Sequence, residues 1–354
     1  MEATVRHALP VRPAGDNPAR FIVRSVMISA VGGTRRLQVR TFRQDRASNT
    51  FCGDRKDPVA AEHRTGRPSC QGRERLGMQN IDKATVEGFG EEWAAFDQTA
   101  MSHEEWQHHF DGYFSLLDFS RLPAKAEGFD LGCGSGRWAA GVVPKVGKLH
   151  CIDPAAAALD VARRRLKDST NFQFHLADAA AIPLADGSQD FGYSLGVLHH
   201  IPDTAQALRD AVTKLKPGAP FLTYLYYAFD QRPAWFRATW KASDTVRRGI
   251  SKLPIGPRKA ITSMIAATVY WPAAKVATVV DRLGGNVDAI PLSSYRKYSF
   301  YTMRTDALDR FGTRLEQRFS KAQIQAMMEA AGLEDVRFRD GVPYWVAIGT
   351  KKHV

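Results

Sequence analysis

The sequence predicts an α/β fold in which helices cover both faces of a doubly wound, mostly parallel sheet. Short apolar segments alternate with helical segments between residues 126 and 228, and a further helix and two strands are predicted between 320 and 354. Such alternation favours a parallel sheet, because right-handed crossover helices connect neighbouring strands. In addition, a glycine-rich turn at residues 132–136 follows the first predicted strand, where such sheets bind ligands.

The composition predicts a folded cytoplasmic protein. Of 354 residues, 44% are hydrophobic and 24% are charged, as in ordinary globular chains. The cysteines show neither a CxxC pattern nor Cys/His ligand spacing, so we expect no bound metal and no disulfide framework. They are Cys52, Cys70, Cys133 and Cys151. We find no export signal, and the cysteine usage favours a reducing compartment, so we expect a cytoplasmic location.

No membrane-spanning segment is expected from the sequence. The chain has no uninterrupted stretch of about 18 apolar residues, the length that a spanning helix needs. The best candidate, Ile261 to Trp271, is followed by Pro272 and Lys275. We therefore predict a buried helix at this position.

The net charge of +12 is unevenly distributed along the chain. Residues 1–77 hold 15 Lys and Arg against 7 Asp and Glu and show no hydrophobic period, so we predict a disordered basic extension. One hypothesis is that the native protein starts at Met78. The next block, 78–228, is acidic, whereas 229–319 carries 16 basic and 7 acidic residues. Because the first block lacks interleaved aromatic residues, we expect no nucleic-acid partner.

Residues 78–125 are predicted to form a helical segment over the ligand site. Ser102 and Glu105 match a capping box, in which the serine accepts from the third helical N–H and the glutamate reaches back to the cap N–H. Four apolar residues then follow at helical spacing, which predicts one buried helix face. They are Trp106, Phe110, Phe114 and Leu117.

The glycine-rich turn has the pattern D-x-G-x-G-x-G. It consists of Asp130, Gly132, Gly134 and Gly136, and it lies between an apolar strand and a helix. Glycines permit close approach of the backbone to a ligand, because no Cβ intervenes. The dinucleotide fingerprint has a different spacing, G-x-G-x-x-G, so this turn indicates another kind of ligand.

Three further segments place polar groups at the ends of successive strands. Asp153 ends the strand 148–152 and follows Gly132 by 21 residues, near the interval of about 20 for a ribose-binding acid. Asp178 ends the strand 172–177. The segment Gly196-Val197-Leu198-His199-His200-Ile201-Pro202-Asp203 begins in the last residues of the predicted strand 191–198 and continues beyond it. Carboxyl ends of parallel strands share one edge of the sheet, so we expect one crevice.

Taken in order, these motifs resemble those of class I, Rossmann-like, S-adenosylmethionine-dependent methyltransferases. The segment 182–203 looks most like the ubiquinone-biosynthesis-type branch that acts on small molecules. The resemblance covers about 126–228 and 320–354, and it implies a seven-stranded sheet that ends in an antiparallel hairpin. It also implies S-adenosyl-L-methionine as cofactor. Expected cofactor-binding residues are Asp130, Gly132, Gly134, Gly136, Asp153, Asp178, Ala179 and Gly196.

Methyl transfer depends mainly on alignment of donor and acceptor, although an acceptor hydroxyl must also lose its proton. His199 and His200, just after the fourth strand, are the best-placed candidates for this catalytic role. The alternative is that each histidine is structural or only orients its neighbours. Asp178 likewise has an alternative role as a turn residue or helix cap.

Residues 229–319 match no element of the minimal fold, so we predict an inserted, mainly helical cap. Its segment 294–306 is both polar and aromatic, and we expect Tyr298, Tyr301 and Arg304 to bind the acceptor. Because arginine suits carboxylates and phosphates, the favoured reaction is O-methylation of an acidic, sugar-derived or lipid-linked small molecule.

Three alternatives remain open at this point. The basic segment 241–259 and the apolar segment 261–271 could rest on an anionic membrane while a lipid or quinone is methylated. Methylation of nucleic acid ranks third, since no base-flipping signature is present. A non-catalytic S-adenosylmethionine-binding module ranks third as well, because residues that bind the cofactor do not establish turnover.

Overall fold

The computed structural model describes residues 80–97, 99–229, 232–287, 290–340 and 345–353. All of them lie in Arg73–Val354, the second of the two units into which the chain divides. The predicted basic extension, including Cys52 and Cys70, lies outside the described residues. Cys133 and Cys151 are buried and free.

The predicted α/β fold is confirmed. Seven strands form one sheet in the order β3-β2-β1-β4-β5-β7-β6. The pairs from β3 to β5 are parallel, and β7 pairs antiparallel with β5 and β6, as the terminal hairpin of the prediction requires. The strands are β1 Glu127–Leu131, β2 Lys148–Asp153, β3 Phe172–Leu176, β4 Phe191–Leu195, β5 Pro220–Leu225, β6 Leu333–Phe338 and β7 Trp345–Lys351.

Helices precede the sheet, connect its strands and form the insertion. The helices outside the insertion are α1 Lys83–Ala95, α2 His103–Phe114, α3 Ala139–Val142, α4 Ala156–Arg165, α5 Thr204–Thr213 and α10 Lys321–Ala330. The inserted helices are α6 Ala234–Ile250, α7 Ile255–Ile265, α8 Trp271–Arg282 and α9 Phe300–Gly312. The insertion is thus mainly helical, as predicted.

Apolar side chains cover both faces of the sheet. One buried cluster joins Phe110 and Phe114 of α2 to the sheet, and a second joins α5 and α10 to it. The central strands pack without space for an extra atom, because a Cβ on Gly128 would lie 2.2 Å from the Phe191 ring. This close packing sets the relative position of β1 and β4.

Two local predictions need correction. The fourth strand ends at Leu195 and not at Leu198, because Gly196 has φ +78° and turns the chain into a short 3₁₀ helix, Leu198–His200. At α2, Ser102 accepts from the Glu105 N–H as predicted, at 3.1 Å. The Glu105 carboxylate does not return to the cap N–H, however; it accepts from the Ser299 N–H in the insertion, at 3.1 Å.

The prediction of a short buried helix at 261–271 is wrong. Among the described residues, Ile255–Arg282 forms one continuous helix that is long and apolar enough to cross a membrane, yet only 22% of its most apolar stretch is buried. A π turn, Ala266–Tyr270, ends two residues before Pro272. A wider turn relieves the clash between a proline ring and the preceding turn of helix, so the helix continues through the proline.

Candidate functional site

A crevice lies at the carboxyl edge of the parallel strands, where the motifs were expected to meet. Its walls are the glycine-rich turn, the loops after β2, β3 and β4, and α1 with the residues before it. The lining residues include Phe89, Trp93, Gly132, Gly134, Arg137, Trp138, Asp153, Asp178, Ala179, Gly196 and His200. Six of the eight predicted cofactor-binding residues are therefore brought together here.

The glycine-rich turn is shaped by positive backbone dihedrals and by close contacts. Gly132 has φ +80°, and a Cβ on it would lie 2.4 Å from Val197. Gly134 has φ +52°, and a Cβ on it would lie 3.0 Å from Nε1 of Trp93 in α1. Both positions thus require glycine. Gly136 does not line the crevice; a Cβ there would meet Ala162 of α4 at 3.0 Å, so this glycine allows the turn to pack on α4.

Asp153 is buried at the end of β2, where backbone donors hold its carboxylate. Oδ2 accepts from the Gly134 N–H at 2.9 Å, and Oδ1 accepts from the Ala155 N–H at 2.8 Å. Burial raises the pKa of Asp153 to about 6, although the two N–H donors act in the opposite direction. Each oxygen can still accept from a further donor, as two ribose hydroxyls would require.

Asp178, Ala179 and Gly196 follow the next two strands of the crevice. Oδ1 of Asp178 accepts from the Ala180 N–H at 2.9 Å, which is the turn contact of the alternative interpretation, while the residue still lines the crevice. Ala179 is buried. At Gly196 a Cβ would lie 3.7 Å from the Tyr224 ring, which places β5 behind this part of the site.

Asp130 does not line the crevice, contrary to our expectation. Its side chain is buried within the sheet, and burial, the main cause, raises its pKa to about 8. At neutral pH the carboxyl group is therefore mostly protonated. The first residue of the D-x-G-x-G-x-G pattern thus lies in the core, outside the crevice lining, and its role in cofactor binding stays a prediction, as it does for the other members of the set.

His200 is the better candidate for a catalytic base. It lines the crevice and packs edge-on against Phe89 of α1, with ring centroids 5.0 Å apart. Nδ1 lies 2.6 Å from the Leu315 carbonyl oxygen, an acceptor, so this nitrogen carries the proton. Nε2 then presents its lone pair, and this atom has no hydrogen-bond partner. Burial lowers the pKa of His200, which keeps the ring neutral.

His199 occupies a different environment. Its ring stacks on Tyr226 with centroids 3.8 Å apart, is fully buried, and is not part of the crevice lining. Burial holds the pKa of His199 well below its usual value. Tyr226 in turn donates to Oδ2 of Asp309 at 2.6 Å. The contacts favour the structural alternative for this histidine, and its catalytic role stays a prediction.

The three predicted acceptor-binding residues lie in the insertion, and none of them lines the crevice. The Tyr298 ring lies 4.4 Å from that of His109 in α2. The Tyr301 ring lies 5.8 Å from that of Phe96. Arg304 lies over the same Phe96 ring at 5.4 Å, and its Nε donates to Ser263 at 3.3 Å. These residues therefore join the insertion to α2 and to Phe96, which directly follows α1.

The sequence analysis missed several residues of the site. Phe89 and Trp93 of α1 line the crevice together with Arg137 and Trp138. The spacing of four residues between Phe89 and Trp93 could have indicated that both lie on one helix face. Two carboxylates outside the crevice lining were missed as well. Burial, followed by Asp309 and Asp306, raises the pKa of Glu92, and burial raises the pKa of Asp306 to about 7. No sequence pattern indicated this acidic group.

The residues present fit S-adenosylmethionine. The turn at Gly132 and Gly134 has no side chains to block a close ligand, and two carboxylates can accept from hydroxyl or amino groups. Nε2 of His200 is an unpartnered buried nitrogen at the same crevice. Among the described residues, no group of three or more His, Cys, Asp or Glu side chains could hold a metal ion.

Comparison with known proteins gives an independent result. Residues 129–223 match the family model described as "Methyltransferase domain". Over 134 residues the chain is 34% identical to the 2-phytyl-1,4-naphtoquinone methyltransferase of Thermosynechococcus vestitus, covering 35% of this chain and 59% of that protein. Over 132 residues it is 30% identical to a tRNA (carboxymethyluridine(34)-5-O)-methyltransferase of Macaca fascicularis, covering 36% and 18%.

A solved structure of human N-acetylserotonin methyltransferase in complex with S-adenosylmethionine aligns with a TM-score of 0.43 at 16% identity, covering 75% of this chain and 57% of that one. The curated relatives are matched over less than two thirds of their own length. They include a quinone and a tRNA enzyme, so the ubiquinone-biosynthesis-type branch stays a prediction. Residues 129–223 therefore match a methyltransferase domain, as the motifs of the sequence predicted.

Proposed function

We propose that this protein transfers a methyl group from S-adenosylmethionine to a hydroxyl oxygen of a small molecule, in the cytoplasm. The observation that carries the proposal is the state of His200, whose Nδ1 is held by the Leu315 carbonyl while Nε2 is unpartnered beside the crevice. A neutral imidazole fixed in this tautomer is suited to accept a proton. N-methylation or C-methylation would make less use of it.

The chain's own residues would bind the cofactor and move one proton. When bound, S-adenosylmethionine supplies an electrophilic methyl group. Asp153 and Asp178 would accept from its sugar and purine, and the turn at 132–134 would lie against its amino-acid part. His200 would take the acceptor's hydroxyl proton on Nε2. Burial lowers the His200 pKa, and the charges of Asp309 and Glu316, which partly oppose this effect, would stabilise the resulting imidazolium. Phe89 and Trp93 of α1 would exclude water.

The surroundings favour a neutral acceptor, sugar-derived or lipid-linked, over an acidic one. The guanidinium first assigned to an acidic acceptor, Arg304, is engaged by Phe96 and Ser263. An acidic metabolite is thus the least favoured of the three proposed classes.

His200→Asn tests the catalytic part of the proposal. Asparagine keeps an N–H that can donate to the Leu315 carbonyl but has no basic nitrogen, so donor affinity should be retained while turnover falls by about 10²- to 10⁴-fold. His103→Asn, at the exposed start of α2, is the matched control and should leave both unchanged. An unchanged turnover in His200→Asn would show that alignment alone drives the transfer.

The acceptor is identified by release of S-adenosylhomocysteine from a panel of carboxylated, glycosylated and lipid-linked hydroxyl compounds, with tRNA added because of the tRNA-modifying relative. We expect turnover with a neutral hydroxyl compound. Turnover with tRNA alone would overturn the small-molecule assignment. Tight donor binding without turnover on a broad panel would favour the non-catalytic module.

A further inference from the structure

The long helix Ile255–Arg282 exposes much of its apolar surface. Its inner side packs against the rest of the insertion through residues spaced three or four apart. The Tyr270 ring meets the Tyr295 ring edge-to-face, with ring centroids 4.9 Å apart. The inner residues are Thr262, Ala266, Tyr270, Ala274 and Ala277. The opposite side carries large apolar side chains that are 46% to 81% exposed. These six residues, here called the outer face, are Met264, Val269, Trp271, Val276 and Val279 of the helix and Leu283 directly after it.

An exposed apolar surface of this kind is unusual for a soluble protein and generally marks an interaction site. The contacts of the inner side show that the helix packs along its length against the other helices of the insertion. It could cross a bilayer only by leaving Met303, Ala307 and Phe311, with which Ala266, Tyr270 and Ala274 share a buried core. A partner that covers the outer face while the inner face stays packed is therefore required, and a helix lying flat in a membrane interface meets this condition.

The charge on the insertion identifies the kind of partner. Among its described residues, between 229 and 319, eight basic side chains are exposed: Arg237, Lys241, Arg248, Lys252, Lys275, Arg282, Lys297 and Arg314. Asp281 is the one exposed acid in the same part of the structure, and it pairs with Arg296 at 3.0 Å.

The remaining described acids of the insertion are held by internal partners. Asp244 pairs with Arg247 and Arg248, and Glu316 pairs with Arg310 and Arg318. Asp306 and Asp309 accept from Tyr295 and Tyr226. The exterior of the insertion is consequently positive, although one of its eight exposed cations, Arg248, is paired with Asp244.

Lys275 is exposed on the same helix and, together with Trp271 of the outer face, combines positive charge with apolar surface. The Lys275 ammonium lies 5.5 Å from the Trp271 ring centroid. Lysine can extend its charge toward lipid headgroups while its methylene groups stay in apolar surroundings, and tryptophan favours the same interfacial region. A nucleic acid would satisfy the cations but would gain little from Val276, Val279 and Leu283, so the aliphatic side chains favour lipid over RNA.

We propose that the outer face of Ile255–Arg282 docks the protein on an anionic lipid bilayer as a peripheral membrane surface. The helix lies in the headgroup region with its inner face still packed on the insertion. Val276, Val279 and Leu283 enter the apolar layer, while Lys275 and Arg282 contact anionic headgroups. The proposal concerns where the protein acts and does not depend on which acceptor it methylates.

Flotation of the full chain with vesicles tests the proposal. We expect the protein to float with an equal mixture of phosphatidylcholine and phosphatidylglycerol, to float poorly with phosphatidylcholine alone, and to be released partly by high salt. The variant Val276→Glu/Val279→Glu should bind anionic vesicles at least about tenfold more weakly, since two exposed apolar side chains that would enter the apolar layer become charged.

Leu176→Glu is the matched control, because Leu176 is an apolar side chain of the sheet edge that is 64% exposed and lies outside the insertion. It should float like the wild type, and both variants should keep the wild-type melting temperature. Failure of the wild type to bind anionic vesicles would overturn the proposal. So would equal binding by the double variant, or a wild-type dimer in solution that the double variant abolishes, since a second copy would then cover the outer face. Donor binding, measured in parallel, reports on the methyltransferase site separately.

Discussion

Replacing Asp153 with asparagine tests the site most directly. Each carboxylate oxygen accepts from one backbone N–H, at 2.9 and 2.8 Å, and keeps a lone pair for the ligand. Asparagine has one acceptor oxygen, and its amide N–H₂ would face a backbone N–H. Hydrogen bonds to a charged acceptor contribute about 1.5 to 3 kcal/mol, so loss of one ribose contact should raise the donor Kd by about 10- to 150-fold.

The effect on stability should be smaller than the effect on affinity. Burial raises the Asp153 pKa to about 6 from 3.8, so the carboxylate's ionisation makes the folded state less stable as pH rises toward and through 6. At pH 7 the loss of unfolding free energy caused by this ionisation is about 3 kcal/mol. Asparagine does not ionise, so the Asp153→Asn variant avoids this loss. The lost backbone hydrogen bond costs about 1 to 3 kcal/mol in the opposite direction. The two changes nearly cancel, and the melting temperature should shift little.

Calorimetric titration with S-adenosylmethionine measures the expected loss of affinity. Asp160→Asn is the matched control, because Asp160 is an exposed acid on α4 that pairs with Arg163; it removes the same charge and should leave the donor Kd unchanged. The wild-type Kd should also weaken as pH falls through about 6, where Asp153 takes up a proton, and the Asp153→Asn variant should lack this dependence. A folded Asp153→Asn protein with wild-type donor affinity would refute the assignment of the crevice.

Further predictions concern the turn, the core acid and the segment that leads out of the insertion. Gly132→Ala should lower the free energy of unfolding in urea by about 2 to 4 kcal/mol, because its Cβ would lie 2.4 Å from Val197, whereas Gly187→Ala, with φ +67° but no atom within 4 Å, should cost only about 1 kcal/mol. The stability that Asp130 contributes is present below its usual pKa of 3.8 and is lost as pH rises through about 8. Relative to Asp130→Asn, the wild type should therefore lose about 1.4 kcal/mol of unfolding free energy per pH unit in that interval, with donor affinity unchanged. Gln317→Ala should reduce kcat and leave donor Kd unchanged, because Gln317 binds the backbone next to His200; an equal loss in the exposed variant Gln325→Ala would contradict this role.

The sheet could be predicted from the sequence because its signals are local. The central strands β1, β2 and β4 are buried segments that end at or directly before Gly132, Asp153 and Gly196. The errors arose where local conformation overrides the pattern. Gly196 adopts φ +78° and ends β4 three residues early, and the π turn before Pro272 lets an interrupted apolar run form one helix of 28 residues.

Residues whose position depends on long-range contacts could not be predicted in the same way. Arg304 has the chemistry of an anion-binding residue, and only the fold shows that Phe96 and Ser263 engage it. Glu105 similarly matches a capping box but binds the Ser299 N–H, 194 residues away. Sequence patterns identify which groups can bind, whereas the partner that they bind is decided by tertiary packing.

The two adjacent histidines show the same distinction at the centre of the site. They are neighbours in one motif, yet their difference comes from the segment that leads from the insertion back to the sheet. In this segment the Leu315 carbonyl fixes the His200 tautomer, while the Gln317 N–H donates to the His199 carbonyl at 2.9 Å and its side chain donates to the Ile201 carbonyl at 2.6 Å. Because these contacts come from the insertion's exit, a displacement of the insertion would alter the orientation of the proposed base. The insertion therefore acts on the reaction through backbone contacts as well as through any acceptor that it binds.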